Sequence, residues 1–168
     1  RAMGIDFVEH DERYDRADEY LEICYALWNG INPKAIKADA ANGIYADPDR
    51  IEKIDHNGKY FRCTATQSVL PSQQGRPVLF QAGSSGRGQK FAVTHADVIF
   101  SIQPDIQRMK SFMNQIKTTA KDQNKTSVPL VTFAVQPFVG SSLEEAIQKK
   151  DEMLKKIPIE AALTRISG

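Results

Sequence analysis

Charge of neither sign is in excess: 22 Lys and Arg stand against 21 Asp and Glu, for a formal net charge of +1. With no basic surplus and no basic cluster, nucleic acid and anionic membrane are not expected as main partners. Long apolar runs are also missing. The longest towards the C-terminal half, Leu130 to Val135, falls far short of the roughly 20 residues that cross a bilayer. Nothing after Arg1-Ala-Met-Gly reads as a signal peptide, and a cytoplasmic location is expected. Cysteine is sparse: Cys24 falls on the apolar face of a predicted helix and Cys63 in a predicted strand. Both are expected as buried free thiols, which suits a reducing compartment. The three histidines, His10, His56 and His95, are not grouped at ligand spacing, so no metal site is expected.

What is present is ordinary for a globular protein: 41% hydrophobic residues in 168, enough for one domain with a core. No Met opens the sequence and a helix comes first with no strand before it, so residues 1–168 read as the central portion of a single longer domain, and Ser167-Gly168 reads as a helix C-cap.

Helical spacing of Ala17, Tyr20, Leu21, Cys24, Leu27 and Trp28 predicts a helix over Asp11–Trp28, ended by Asn29-Gly30. Residues 30–58 hold Asn-Pro, Asn-Gly and Asp-Pro pairs and predict an irregular insertion with several turns. Lys59–Thr66 reads as a short strand or hairpin arm. A regular rhythm follows: strand Pro77–Ala82, helix Ser84–His95, strand Asp97–Ser101, helix Pro104–Asn124, strand Pro129–Gln136. Ser142 then opens a helix with a capping box to Glu145, and a last short helix begins at Pro158. Strands that alternate with helices and lack polar alternation predict a parallel sheet covered on one side. The units are too few to close an eight-unit barrel, which takes about 250 residues. About three βα units plus an insertion, a partial (β/α)8 barrel, is the expected α/β architecture.

The stretch most suggestive of chemistry is PVLFQAGSSGRG, Pro77 to Gly88. Ligands of parallel α/β folds sit at the carboxyl ends of strands, where Gly83-Ser84-Ser85-Gly86 falls. Unpaired N–H groups at the start of the next helix favour an anion. Gly83 and Gly86 allow close approach, and Ser84 and Ser85 add hydroxyls. A phosphate is the natural occupant, with Arg87 a further candidate contact. The spacing fits neither a Walker loop, nor the dinucleotide fingerprint, nor a nucleophile elbow. Simple helix capping by Ser84 is the competing reading, and local physics leaves the two open. His10 and Tyr14, four apart, can share a helix face, where they read either as a solvated helix start or as ligand contacts. His56 reads as a solvated loop residue, His95 as a C-terminal cap, Trp28 as packing against the barrel, and Met109 with Met113 as core filling.

Taken together, EHDERYDRADEYLEICYALW, GIYADPDRIEKIDHNGKYF and QGRPVLFQAGSSGRGQKFAVTHADVIFS resemble the flavin-dependent monooxygenases of the bacterial luciferase-like type, the group of the nitrilotriacetate monooxygenase large component. That resemblance implies a (β/α)8 barrel with insertions, of which this chain is a piece expected to be poorly stable or inactive alone. It implies reduced FMN, supplied by a separate NAD(P)H-dependent reductase, and O2, with one oxygen atom inserted into a small organic substrate and the other leaving as water. A homo-oligomer is compatible with it. By the same likeness His10, Tyr14 and Ser84 fall on FMN-binding positions, with Ser84 at the phosphate; Ser85 and the N–H groups of Gly83 and Gly86 extend that contact on physical grounds. No acid–base catalyst stands out, His10 being the one candidate by type. Trp28–Pro33 and Cys63–Val69 depart from the family pattern near the insertion and bear on substrate preference. A deazaflavin-dependent oxidoreductase of the same superfamily and a non-catalytic phosphate-ligand binding domain remain as alternatives.

Overall fold

The computed structural model describes residues 8–160 and 163. Two compact units divide the chain, Arg1–Phe133 and Ala134–Gly168.

In the first unit, α1 (His10–Asn29) begins with Asp11 and Glu12 in its first turn, where they complement the helix dipole. It stops where Gly30 N–H bonds back to Leu27 O. A single apolar stripe does not describe this helix, because it packs on two sides. Tyr14, Asp18 and Tyr25 face a later helix. Glu19 faces the opposite way, its carboxylate accepting from the N–H groups of Tyr60 and Phe61 and from His56 Nε2. Burial raises the Glu19 pKa, but these three donors more than offset that and hold it below the usual value. Ile23 is the residue of α1 that becomes fully buried, whereas Tyr20 stays exposed with its ring against Phe61.

The segment expected to be irregular is more ordered than its turn signals imply. Short 3-10 turns at Pro33–Ala35 and Pro48–Arg50 each open on a proline and are capped by Asn32 and Asp47 side chains. β1 (Ile36–Asp39) and β2 (Ile44–Ala46) form an antiparallel hairpin, turned through Gly43 at φ +68. β3 (Ile54–Asn57) pairs antiparallel with β4 (Arg62–Ala65). His56 is therefore a strand residue clasped to Glu19 at 3.1 Å, not a solvated loop residue. Cys24 and Cys63 are half-buried and unpaired, not fully buried. Trp28 meets Tyr25 edge-on and lines a pocket with Ile31, Pro33 and Pro71 on the insertion side, where a contact with the barrel was expected.

β5 (Phe80–Ala82), β6 (Val98–Ser101) and β7 (Leu130–Phe133) form the parallel sheet, in that spatial order. The strands are shorter than their apolar runs. α2 (Gly86–His95) follows β5 and α3 (Ile106–Asp122) follows β6. One face of the sheet carries Ile99, Val131 and Phe133, packed with Ala92 and Val93 of α2 and Phe112, Ile116 and Ala120 of α3. Met113, expected as core filling, is exposed instead, as is Ile106. The other face is open: Phe80 is 65% exposed, Phe100 41% and Leu130 71%. Strand starts are tied by Asp97, whose carboxylate accepts two bonds from Arg76, each 2.7 Å, and one from Leu79 N–H at 2.8 Å.

In the second unit, α4 (Leu143–Lys155) is capped by Ser142 Oγ, which accepts from Glu145 N–H at 3.3 Å. The reciprocal half of the expected box is displaced by one residue: the Glu145 carboxylate accepts from Ser141 N–H and Oγ, both at 2.6 Å. Lys149 and Ser141 together hold the Glu145 pKa at about 2. Leu143, Ile147 and Leu154 of its apolar stripe are exposed. Ile159 and Glu160 are helical, and Ser167-Gly168 lies outside the described residues. Among the described residues no helix is long and apolar enough to cross a membrane.

The Asp97 knot makes a pH prediction. Arg76 and Leu79 N–H hold its carboxyl below the ordinary 3.8, so its stabilisation is present above that pH and is lost as acid protonates it. Asp97→Asn should lower unfolding free energy at pH 7 by about 1 kcal/mol, a figure discounted for solvent screening, and should flatten the fall in stability below about pH 4. Urea titrations at pH 7 and pH 3 check both.

Candidate functional site

At the amino end of α1 and the turn that enters α2, residues far apart in sequence come together. His10 begins α1, and its ring meets Tyr14 edge to face at 5.3 Å. The imidazole is exposed and bonds to Asp11 at 2.7 Å. Tyr14 continues inward: its ring lies 5.4 Å from that of Phe91, and its hydroxyl rests on the glycines of the turn. A methyl built on Gly88 would stand 2.6 Å from Tyr14 Oη and 2.9 Å from Ser85 Oγ. One built on Gly83 would stand 3.3 Å from the same Oη. Residue 88 must therefore be glycine for the ring to lie there, whereas a methyl on Gly86 would meet nothing within 4 Å.

Ser85, not Ser84, is the N-cap. Its Oγ accepts from Gly88 N–H at 3.0 Å, which leaves its own proton free to donate. Ser84 is exposed; its carbonyl accepts from Gln89 Nε2, while its hydroxyl has no partner among the described residues. The N–H groups of Gly86 and Arg87 likewise have no acceptor among the described residues. Tyr14 Oη, too, makes no hydrogen bond among them. The sequence-predicted residues Tyr14, Gly83, Ser84 and Ser85 are thus gathered at one corner, with His10 at its edge. Beside it opens a pocket of about 420 Å³ lined by His10, Arg13, Tyr14, Ala17, Gln81 and Phe91.

Two readings need correction. Arg87 does not turn to the anion position: its guanidinium pairs with Asp15 at 2.8 Å and with Asp18, and lies over the Tyr14 ring at 5.5 Å. Burial works against that charge, and the two carboxylates more than restore it. His95 is more than a helix end; Asp18 accepts from its Nε2 at 2.7 Å, and its Nδ1 faces the Tyr25 hydroxyl at 3.2 Å.

The sequence reading missed Asp18 and Gly88. The available signal for Asp18 was its place among Tyr14, Ala17, Leu21 and Tyr25, a carboxylate on an otherwise apolar stripe. Gly88 offered no signal, since its need arises from a residue 74 positions earlier in the chain.

The start of α2 carries the hydroxyls of Ser84 and Ser85 and the N–H groups of Gly86 and Arg87, with Tyr14 Oη lying against Gly88, and a helix start with such donors is chemically able to take an anion. Residues 1–166 match the luciferase-like monooxygenase family. The chain belongs to that family. It is 39% identical to the long-chain alkane monooxygenase of Geobacillus thermodenitrificans, over 96% of this chain and 37% of that protein. It is 35% identical to the dibenzothiophene-sulfone monooxygenase of Rhodococcus erythropolis, over 100% and 38%. A riboflavin lyase crystal structure, with modified FMN and its substrate riboflavin, superposes with a TM-score of 0.87 at 37% identity, covering 96% of this chain and 36% of that one. The chain thus spans little more than a third of the length of these relatives. As a luciferase-like chain, its three-stranded parallel sheet with outer helices is part of a (β/α)8 barrel, as expected.

The glycine contacts predict opposite outcomes for two similar substitutions. Gly88→Ala should displace the Tyr14 ring and cost about 1–3 kcal/mol through overpacking. Gly86→Ala should leave thermal stability unchanged or slightly raised. Thermal unfolding of the two variants side by side checks the pair.

Proposed function

We propose that the corner of Tyr14 and the Gly83–Gly88 turn receives the phosphate of FMN, and that the whole protein is a flavin-dependent monooxygenase. Its substrates are O2 and a small organic molecule, and a separate NAD(P)H-dependent reductase delivers the reduced flavin. The observation that carries this reading is the unpartnered Tyr14 hydroxyl lying against a helix start whose first N–H groups are also unpartnered. Hydroxyls and helix-start N–H groups that lie open to solvent, not paired within the protein, are free to donate to an anion.

Bound reduced FMN supplies the electrons with which O2 is divided between an oxygenated product and water. The chain's own residues bind and orient. Ser84 Oγ, Ser85 Oγ and the N–H groups of Gly86 and Arg87 donate to phosphate oxygens, and Tyr14 Oη donates from the α1 side. Phe91 and Ala17 give the adjoining pocket apolar wall. His10 lines the same pocket, and its bond to Asp11 orients it. Arg87 is already paired with Asp15 and Asp18 and does not anchor the phosphate, which suits a flavin that must arrive and leave as a diffusing reactant.

The likeness to a riboflavin lyase favours a second reading, in which the organic substrate is itself a flavin. Loss of added riboflavin in the presence of reduced FMN and O2 distinguishes it from oxygenation of a different substrate.

Flavin fluorescence titrations of the full-length protein test the site. FMN should bind more tightly than riboflavin, and Ser84→Ala and Tyr14→Phe should each weaken FMN about tenfold, the effect of removing one hydrogen bond to a charged group. Equal affinity for FMN and riboflavin, or no effect of either substitution, contradicts the assignment.

A further inference from the structure

Asp18 bonds two side chains of α2, the helix that starts at this corner. One turn after Tyr14 on the same face of α1, its Oδ2 accepts from Arg87 Nη2 and its Oδ1 accepts from His95 Nε2 at 2.7 Å. Arg87 lies in the first turn of α2 and His95 is the last of its ten residues. A single carboxylate thereby holds both ends of α2. Between them, Phe91 packs on the Tyr14 ring at 5.4 Å and on the His95 ring at 4.8 Å. Residues 87, 91 and 95 form one stripe of α2, laid along Tyr14, Asp18 and Tyr25 of α1. Asp18 does not line the pocket and meets the Gly83–Gly88 turn only through the Arg87 side chain.

We propose that Asp18 is a positioning residue: it sets the register of α2 against α1 and so holds Tyr14 Oη over the Gly83–Gly88 turn. This rests on the phosphate reading above. The alternative, that Asp18 acts only through its charge, makes the opposite prediction. A carboxylate near a phosphate site repels the ligand, so removing it by charge alone strengthens binding. Asp15 supplies the comparison, since it bonds Arg87 as well but holds neither His95 nor the far end of α2.

The test uses the full-length protein and flavin fluorescence titrations with FMN and riboflavin. Asp18→Ala should weaken FMN about tenfold, like loss of the Tyr14 hydroxyl itself, while riboflavin changes by less than about twofold. Asp15→Ala should not weaken FMN. In the Tyr14→Phe background, Asp18→Ala should cost FMN affinity about twofold or less, because the two act through the same hydroxyl. Should Asp18→Ala not fold, Asp18→Asn keeps the shape and one acceptor oxygen, and a smaller loss in the same direction is expected. Tighter FMN binding by either Asp18 variant, or additive losses in the double variant, overturns the proposal. Wild-type protein that binds riboflavin as tightly as FMN overturns the phosphate reading instead, so the two failures are distinct.

Discussion

A tyrosine hydroxyl can lie on the first turn of a neighbouring helix only where that helix has no side chain, and this constraint organises the unit. Gly88 is buried against Tyr14 so closely that a single methyl would collide with the hydroxyl. The helix–helix approach, the orientation of the phenol and the exposure of the turn's N–H groups all follow from that one absent Cβ. A larger residue at 88 forces the helices apart and leaves the hydroxyl without a target.

The two helices are also tied by polar cross-links. The sequence supplies them as charge. Asp15 and Asp18 on α1 meet Arg87 and His95 on α2, and the Tyr14, Phe91, His95 and Tyr25 rings fill the space between. The electrostatic consequence is that the cation nearest the turn is neutralised by its own structural partners. In the proposed reading, anion binding is left to hydroxyls, backbone dipoles and the helix start, each of which contributes only modestly. A site of that kind holds a phosphate without trapping it, a property suited to the diffusing flavin of the proposal.

How legible this was in the sequence differs by element. The βα rhythm from Pro77 to Phe133 could be read because continuous apolar runs and helical spacing are local signals, and the resemblance in three ordered stretches identified the family. The gathering of Tyr14 with the Gly-Ser-Ser-Gly turn followed from that resemblance, not from spacing. Lys59–Thr66 was legible as a hairpin arm, and β4 forms there; the β1–β2 hairpin and the partner strand β3 were hidden because turn residues mark where a chain bends and not whether the arms pair. Arg87, His56 and His95 were misread for a common reason: each is polar, near a turn or helix end, and finds its partner on α1, between 37 and 77 positions away. Side-chain periodicity carries no information about such pairs. Helix α1 was read as having one packed face when its acids and aromatics serve two.

Phe80, Phe100 and Leu130 line the sheet face opposite the helices, and in a closed parallel barrel that face is the interior. The proposed phosphate corner lies at the carboxyl ends of the same strands, where such barrels place their ligands. A crystal structure of the full-length protein soaked with FMN tests the central claim most directly. The account predicts phosphate oxygens within hydrogen-bond distance of Tyr14 Oη, Ser84 Oγ and the N–H groups of Gly86 and Arg87, with Arg87 still paired to Asp15 and Asp18. A phosphate bound elsewhere on the barrel, with the Tyr14 hydroxyl still lying unbonded on Gly88, contradicts it.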